Sequence, residues 1–401
     1  MPPEDYLIGM RVRYLSSTTN IHPHRTLTME GRSSTSHITD LHPEGDIVLI
    51  ILDKGESSAR LWLRASTAVL RKASPYFKAL FGPRSREDRR AGGGTGYEMV
   101  LKEHKPEAVE VVLSLLHKHH NPRFATLKPA LFAHVAILAD KYDCVGALKD
   151  QIGLWFKNAE KPEPNDCFGH GHLITAAVYL ESPQHYRHVT AAAIPDFTSD
   201  WITEWSRDKA IKNLGDDVIG IFPVPCCTNA CLPCTADEIK EKVRETKIDI
   251  RTEIESVEKM LRAEDKICYR TGQQRCPACF QLVSLKRNPR LKHPPAPQCE
   301  ECRVKDLTPE LCTNYRRVAD YFDILRAVGV WPSNVGFDSH ISARALVGNI
   351  AEYAERNFRH RCEGGPRCPL PVRIEQLDEA LHERLGQIRG LTLEEEGKGG
   401  R

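Results

Sequence analysis

The stretch Asp46-Ile-Val-Leu-Ile-Ile-Leu52, then the polar run Asp53-Lys-Gly-Glu-Ser-Ser58 and Arg60-Leu-Trp-Leu-Arg-Ala65, decides how the first third of the chain reads. An unbroken aliphatic run bounded by turn-forming residues predicts a central strand covered on both faces, because a strand with one wet face would alternate. The turn predicts Arg60 to Ala65 as its neighbour. Ser66 or Thr67 then caps a predicted helix carrying Val69, Leu70, Ala73, Phe77, Leu80 and Phe81 at spacings of three and four, with Gly82-Pro83 as its stop. A polar, glycine-containing loop from Arg84 to Gly96 leads to a short strand at Tyr97 to Leu101. Helices follow at Pro106 to His117, with Val109, Val112, Leu113 and Leu116 on one face, and at Leu127 to Cys144, with Leu131, Val135, Leu138 and Tyr142 inward. The fold class this predicts is α+β: a small sheet with helical hairpins.

The phrases Gly45-Asp-Ile-Val-Leu49, Leu63-Arg-Ala-Ser-Thr-Ala-Val-Leu70, Ala73-Ser-Pro-Tyr-Phe-Lys-Ala-Leu-Phe81, Pro106-Glu-Ala-Val109 and Leu138-Ala-Asp-Lys-Tyr-Asp-Cys144 follow one another in an order that resembles a BTB/POZ domain. The likeness is greatest to the large group of BTB proteins of filamentous fungi. It implies a protein-binding module that self-associates or docks on a scaffold such as a cullin-type ubiquitin ligase. Residues 10 to 44 show no strong amphipathic helix of the kind many BTB domains exchange between two chains, so the resemblance is to the shorter members that bind a different protein.

Outward from this unit, residues 1–44 are rich in Ser, Thr, His, Arg and Pro and poor in apolar positions in register, and read as a disordered leader. Residues 45–158 form the BTB-like domain and 159–224 a helical extension, ended by Pro223-Val-Pro225. Residues 225–393 read as an all-helical, zinc-braced region, and 394–401 as a disordered tail. In that region Thr235-Ala-Asp-Glu238 is a capping-box pattern opening a long helix with Ile239, Val243, Ile250, Ile254, Val257 and Leu261 on one stripe. Three more helices are predicted: from Thr308-Pro309 through Leu325, from Ala343 to Phe358, and from Arg373 to Arg389.

The 401 residues carry 56 Lys plus Arg against 54 Asp plus Glu, so no global charge draws the chain to nucleic acid or an anionic membrane. No apolar run approaches the roughly 20 residues of a membrane span, and the start Met1-Pro-Pro-Glu-Asp5 has neither part of a signal peptide. The expectation is therefore an intracellular protein, nuclear or cytoplasmic, in a reducing compartment. There, 14 cysteines point to metal ligation or free thiols rather than to disulfides. Only Cys144 and Cys167 precede residue 226.

The sharpest pattern is Cys276-Pro-Ala-Cys279 followed by Cys299-Glu-Glu-Cys302. A two-residue spacer puts both sulfurs of a pair on one side of a tight turn, and two such turns supply four thiolates to a tetrahedral zinc ion. A second cluster, Cys226-Cys-Thr-Asn-Ala-Cys231-Leu-Pro-Cys234, offers Cys227, Cys231 and Cys234, with a fourth ligand to come from Cys268, Cys312, His360, Cys362 or Cys368. Two histidine phrases, His117-Lys-His-His120 and Cys167-Phe-Gly-His170-Gly-His172, are weaker metal candidates; the first reads better as a solvated helix end. No phosphate-binding glycine–lysine phrase, dinucleotide fingerprint, nucleophile elbow or His-Glu-x-x-His helix is present. The expected function is non-catalytic: a BTB-like adaptor whose zinc-stabilised C-terminal half holds a second protein partner. The alternative is a nucleic-acid-binding regulator using the Cys276–Cys302 loop, where Lys286, Arg287, Arg290 and Lys292 lie.

Overall fold

Strand β2 (Ile47–Leu52) lies inside a four-stranded sheet of order β1-β3-β2-β4, between β3 (Ala59–Ala65), with which it is antiparallel, and β4 (Tyr97–Leu101), with which it is parallel. The computed structural model describes residues 38–52, 59–82, 97–101, 104–119, 121–159, 161–211, 233–284, 297–331, 341–356 and 360–393. Ile47, Leu49 and Ile51 are buried on one face of β2 and Ile50 on the other, as an unbroken aliphatic run demands. Leu49 stands opposite Leu63, so the registers of β2 and β3 meet at a wholly buried pair.

The leader read as unstructured to residue 44 is structured earlier. Strand β1 (Ile38–Asp40) runs parallel to β3, and Leu41 enters the core. Only three residues pair, too short a run to stand out from the polar sequence before it.

The single helix expected from Thr67 to Phe81 is two: α1 (Thr67–Ala73) and α2 (Pro75–Leu80). Pro75 has no amide hydrogen to continue a helix and pushes the residue before it out of helical conformation. Ser74 is accordingly extended, and its hydroxyl accepts from the Phe77 amide, capping α2, while donating to the Tyr142 carbonyl. Tyr142 ends α4 (Pro129–Lys141), which packs beside α3 (Pro106–Leu116). Its hydroxyl pairs with His104 Nε2 at 2.9 Å. Burial, then Lys141, presses the His104 pKa down to about 4, so the ring that meets Tyr142 is neutral at physiological pH.

The first core continues beyond residue 158. Helices α5 (Lys149–Asn158), α6 (Cys167–Tyr179), α7 (Pro183–Ala193) and α8 (Trp201–Trp205) contribute Trp155, Ile174, Tyr186 and Trp205 to the same apolar cluster as β2, with Phe197 from the turn between α7 and α8. The long helix appears as α9 (Pro233–Ala263), at 1.5 Å per residue about 46 Å long. Ala236, Ile239 and Val243 close the first core, while Ile250, Ile254, Val257 and Leu261 belong to a second.

That second core is not all-helical, which corrects the sequence reading. It carries a three-stranded antiparallel sheet of order β6-β5-β7: β5 (Cys268–Arg275), β6 (Leu282–Ser284) and β7 (Thr308–Cys312). The helix expected from Thr308 begins six residues later. Glu310 and Cys312 are buried while Pro309 and Leu311 are exposed, the period-two pattern of a strand, and the Thr313 hydroxyl caps α10 (Asn314–Ala327). Helices α11 (Ala343–Arg356) and α12 (Pro369–Gly386) complete the layer. The chain then returns to the first core, where Leu391 is buried and its amide donates to Thr190 Oγ1. A β-carbon on Gly390 would fall 1.6 Å from the Arg187 carbonyl oxygen, so only glycine fits.

Two measurements test this account. Phe77 is 1% exposed and packs against Tyr76, Phe81 and Tyr142, so Phe77→Ala is expected to cost about 3–5 kcal/mol in urea unfolding. His104 takes its proton at about 4 when folded and near its ordinary value of about 6.5 when unfolded. Below that higher value the unfolded chain binds more protons, so this group's contribution is present at neutral pH and lost as pH falls from about 6.5 to about 4. His104→Gln, which keeps a hydrogen-bonding partner for Tyr142, is expected to flatten that part of the stability profile.

Candidate metal centres

Two groups of cysteine and histidine side chains in the C-terminal half each bring four donor atoms within 4.8 Å of one another: Cys276, Cys279, Cys299 and Cys302, and Cys312, His360, Cys362 and Cys368.

The first is the set expected from the paired two-residue spacers. β5 runs into one turn and the other precedes β7, and the two share one backbone design. The Cys276 amide donates to the Gln281 carbonyl at 2.9 Å and the Phe280 amide to the Cys276 carbonyl at 2.8 Å. Likewise Cys299 donates to Val304 at 2.9 Å and Arg303 to Cys299 at 2.8 Å. In each turn the residue after the second cysteine is left-handed, Phe280 at φ +60 and Arg303 at φ +55, a strained conformation for residues with a β-carbon. Gln281 Nε2 donates to Glu301 across the two turns, and Arg275 grips Glu310 with two hydrogen bonds of 2.8 and 3.0 Å while donating a third to the Phe280 carbonyl.

The sulfurs of Cys279 and Cys299 are 3.5 Å apart, and all four thiols are free of disulfides. Four ligands at about 2.3 Å from one ion would stand about 3.8 Å apart along a tetrahedral edge, so this is the spacing of a single ion. The backbone amides of Cys279 and then Ala278 draw the Cys276 thiol down to about 7, whereas its hydrogen bond to Cys279 pushes the Cys302 thiol up to about 12. Four sulfurs this close cannot all be thiolates without a cation among them.

The second group was not legible as a set. Cys312 ends β7, Cys362 bridges to Arg270 of β5, and Cys368 precedes α12. His360 Nε2 lies 3.4 Å from Cys312 Sγ and 3.3 Å from Cys368 Sγ, and those sulfurs are 3.8 Å apart. On its other side His360 Nδ1 meets Asp320 at 2.8 Å, and Asp320 is held by Arg270 at 3.2 Å and Arg316 at 3.1 Å. A carboxylate on one ring nitrogen fixes the tautomer and turns the other nitrogen's lone pair toward the sulfurs, the arrangement that metal-binding histidines use. Burial disfavours a charge on His360, but the Asp320 bond and the neighbouring thiols prevail and its pKa rises to about 10.

These four residues were assigned in sequence as alternatives for a single position beside Cys227, Cys231 and Cys234. The structure instead gathers them into a set of their own. Cys227 and Cys231 lie outside the described residues, as does the side chain of Cys234. Cys268, also named there, faces Cys312 across the β5–β7 ladder and its thiol pairs with Cys362 at the rim of the group. One signal for the set was available in the sequence: His360 and Cys362 share an extended stretch just before the cysteine that opens a helix.

The weaker histidine candidates are structural. His117 accepts from the Ser66 amide at 3.0 Å and donates from Nδ1 to the Leu113 carbonyl, and burial lowers its pKa; a neutral ring pinning β3 replaces the solvated helix end, while His120 lies outside the described residues. His170 pairs with Asp196 and His172 with Asp208, each at 3.3 Å, and Cys167 bonds to Glu204, so the three diverge. Gly171 between them admits the Trp205 indole, which a β-carbon would meet at 2.7 Å.

No protein-family model matches the sequence and no curated protein matches it. Among the described residues no helix is long and apolar enough to cross a membrane.

If both groups hold an ion, the chain purified without chelator carries about two metal equivalents, and Cys279→Ser and Cys368→Ser each lower that by about one. Elemental analysis alongside thermal unfolding reads this, and each loss is expected to lower the melting temperature.

Proposed function

We propose that this chain is a non-catalytic protein-interaction protein of the fungal BTB kind, with a C-terminal half folded around two structural zinc ions. The zinc assignment is supported by the donors: a set of four cysteines and a set of three cysteines with one histidine, at tetrahedral spacing, suit zinc rather than the oxygen-preferring Mg²⁺ or Ca²⁺. Each set is complete at four protein ligands, which leaves no open position for a water or substrate and so favours structure over catalysis. The BTB reading is supported by a sheet flanked by the α1–α2 and α3–α4 hairpins, in the order of the sequence phrases that carry the resemblance.

The observation that carries the interaction reading is an apolar strip on the outer face of the C-terminal sheet. Tyr269 and Leu311 stand opposite each other across β5 and β7 and are 49% and 42% exposed; Ile267, just before β5, and Tyr315, in the first turn of α10, lie outside the sheet and are more exposed still. Apolar side chains grouped on one open sheet face mark a docking surface. The first unit is the candidate for self-association or for a cullin-type scaffold, and this strip for the second protein partner.

Mass in solution and titration with a cullin-type scaffold test the reading together. Expected is either a mass above that of one chain or saturable scaffold binding at moderate salt, with Tyr269→Ser/Leu311→Ser leaving that association and the metal content unchanged. A monomer that ignores the scaffold but binds random duplex, with affinity falling steeply as salt rises, overturns it in favour of the nucleic-acid reading.

A further inference from the structure

Arg317, in the first turn of α10, is fully buried at 0% exposure. Its Nη1 donates to the Lys266 carbonyl at 2.6 Å and the Cys312 carbonyl at 3.2 Å, and its Nη2 to the Glu264 carbonyl at 2.6 Å. Among the described residues no carboxylate pairs with it. The neighbouring Arg270 and Arg316 both turn to Asp320 instead. A guanidinium does not lose its proton in proteins, and a buried charge without a counter-charge is strongly disfavoured. Carbonyl dipoles offset part of that cost but supply no net charge. A group able to carry one stands beside it, the Cys312 sulfur, 3.9 Å from Nη1.

With a metal ion bound, the charges balance for one ionic charge alone. Three thiolates and a neutral histidine around a divalent ion carry one net negative charge, which one buried guanidinium cancels. Arg270 similarly offsets Asp320, and Arg316, 35% exposed, reaches solvent. A monovalent ion such as Cu(I) would leave the pair of centre and arginine negative, and a trivalent ion would leave it positive. We propose that Arg317 is the counter-ion of the Cys312–His360–Cys362–Cys368 centre and thereby restricts it to a divalent metal. The inference rests on the reading that this group holds a metal. The Cys276–Cys302 centre has no such buried arginine among the described residues and serves as an internal reference.

The experiment is a chelator titration of the intact zinc-loaded chain, comparing Arg317→Lys, which keeps the charge but loses the planar fork, with Arg317→Gln, which keeps donors but loses the charge. Expected for Arg317→Gln is one of two ions surrendered about 10- to 100-fold more readily, the size typical of a lost partner beside a metal ligand. The other ion is unchanged, and Arg317→Lys retains most of the affinity. Substitution with Co²⁺ supplies a second readout: the thiolate-to-cobalt band of the affected centre weakens in Arg317→Gln at a metal concentration that saturates the wild type. Equal retention of both ions in Arg317→Gln overturns the inference. So does a loss in Arg317→Lys as large as in Arg317→Gln, which would make the residue a hydrogen-bonding latch. A wild-type chain that holds only the ion of the Cys276–Cys302 group overturns the two-centre reading itself, a separate and prior failure.

Discussion

The β5–β7 ladder has at each end a group of four cysteine and histidine donors that could hold a metal ion, and the order of the second half of the chain hinges on those two groups. Cys276 and Cys299 lie at one end, Cys312 with Cys268 opposite it at the other. Between them β5 reads Cys268-Tyr-Arg-Thr-Gly-Gln-Gln-Arg275, a strand with almost nothing to bury. A ladder this polar gains too little from burial to offset the entropy of ordering it. Four-donor clusters at its two ends supply what the side chains in the middle do not, and α10 and α12 then pack on the end that Cys312 and Cys368 anchor.

What sequence alone revealed follows from the same physics. β2, β4, α3 and the stripe along α9 were legible because burial of repeated apolar positions holds them, and burial leaves a period. The break at Ser74 was equally legible in principle, since serine before proline caps a new helix, but the spacing of Phe77, Leu80 and Phe81 with the residues before it runs through the break and conceals it. The β5–β7 sheet had no such period to read. Leu311, counted as helical because it sits four before Tyr315, points outward from a strand instead. The Cys276–Cys302 set could be read because both halves of each turn are adjacent in sequence. The Cys312 set is closed by residues some fifty positions apart, and the half-buried Asp320 that orients its histidine leaves no trace in the spacing.

The two cores are not independent bodies joined by a linker. One helix, α9, lends Ile239 and Val243 to the first and Ile254 and Leu261 to the second. Arg344 of α11 meets Asp196 at 2.6 Å, and His170 Nε2 lies 3.3 Å from the same carboxylate, so a polar contact of the first core reaches into the second. The return of Gly390 and Leu391 to α7 adds a third tie after α12. A change in the second core therefore has three covalent or polar routes to the surface of the first.

The strand period of two links the metal to the surface offered for binding. In β5 and β7, Cys268 and Cys312 turn inward to the donor cluster, so Tyr269 and Leu311, the next residue along in one strand and the previous one in the other, must turn outward together. The donor set and the apolar strip are thus two faces of one ladder with one register. A slip by a single residue would bring the tyrosine in and the thiol out, and a thiol held by a metal cannot make that slip. In the proposed function the ion need not touch the partner protein. By fixing Cys312 it fixes which side of Leu311 faces water, and the composition of the strip follows from the geometry of the centre behind it.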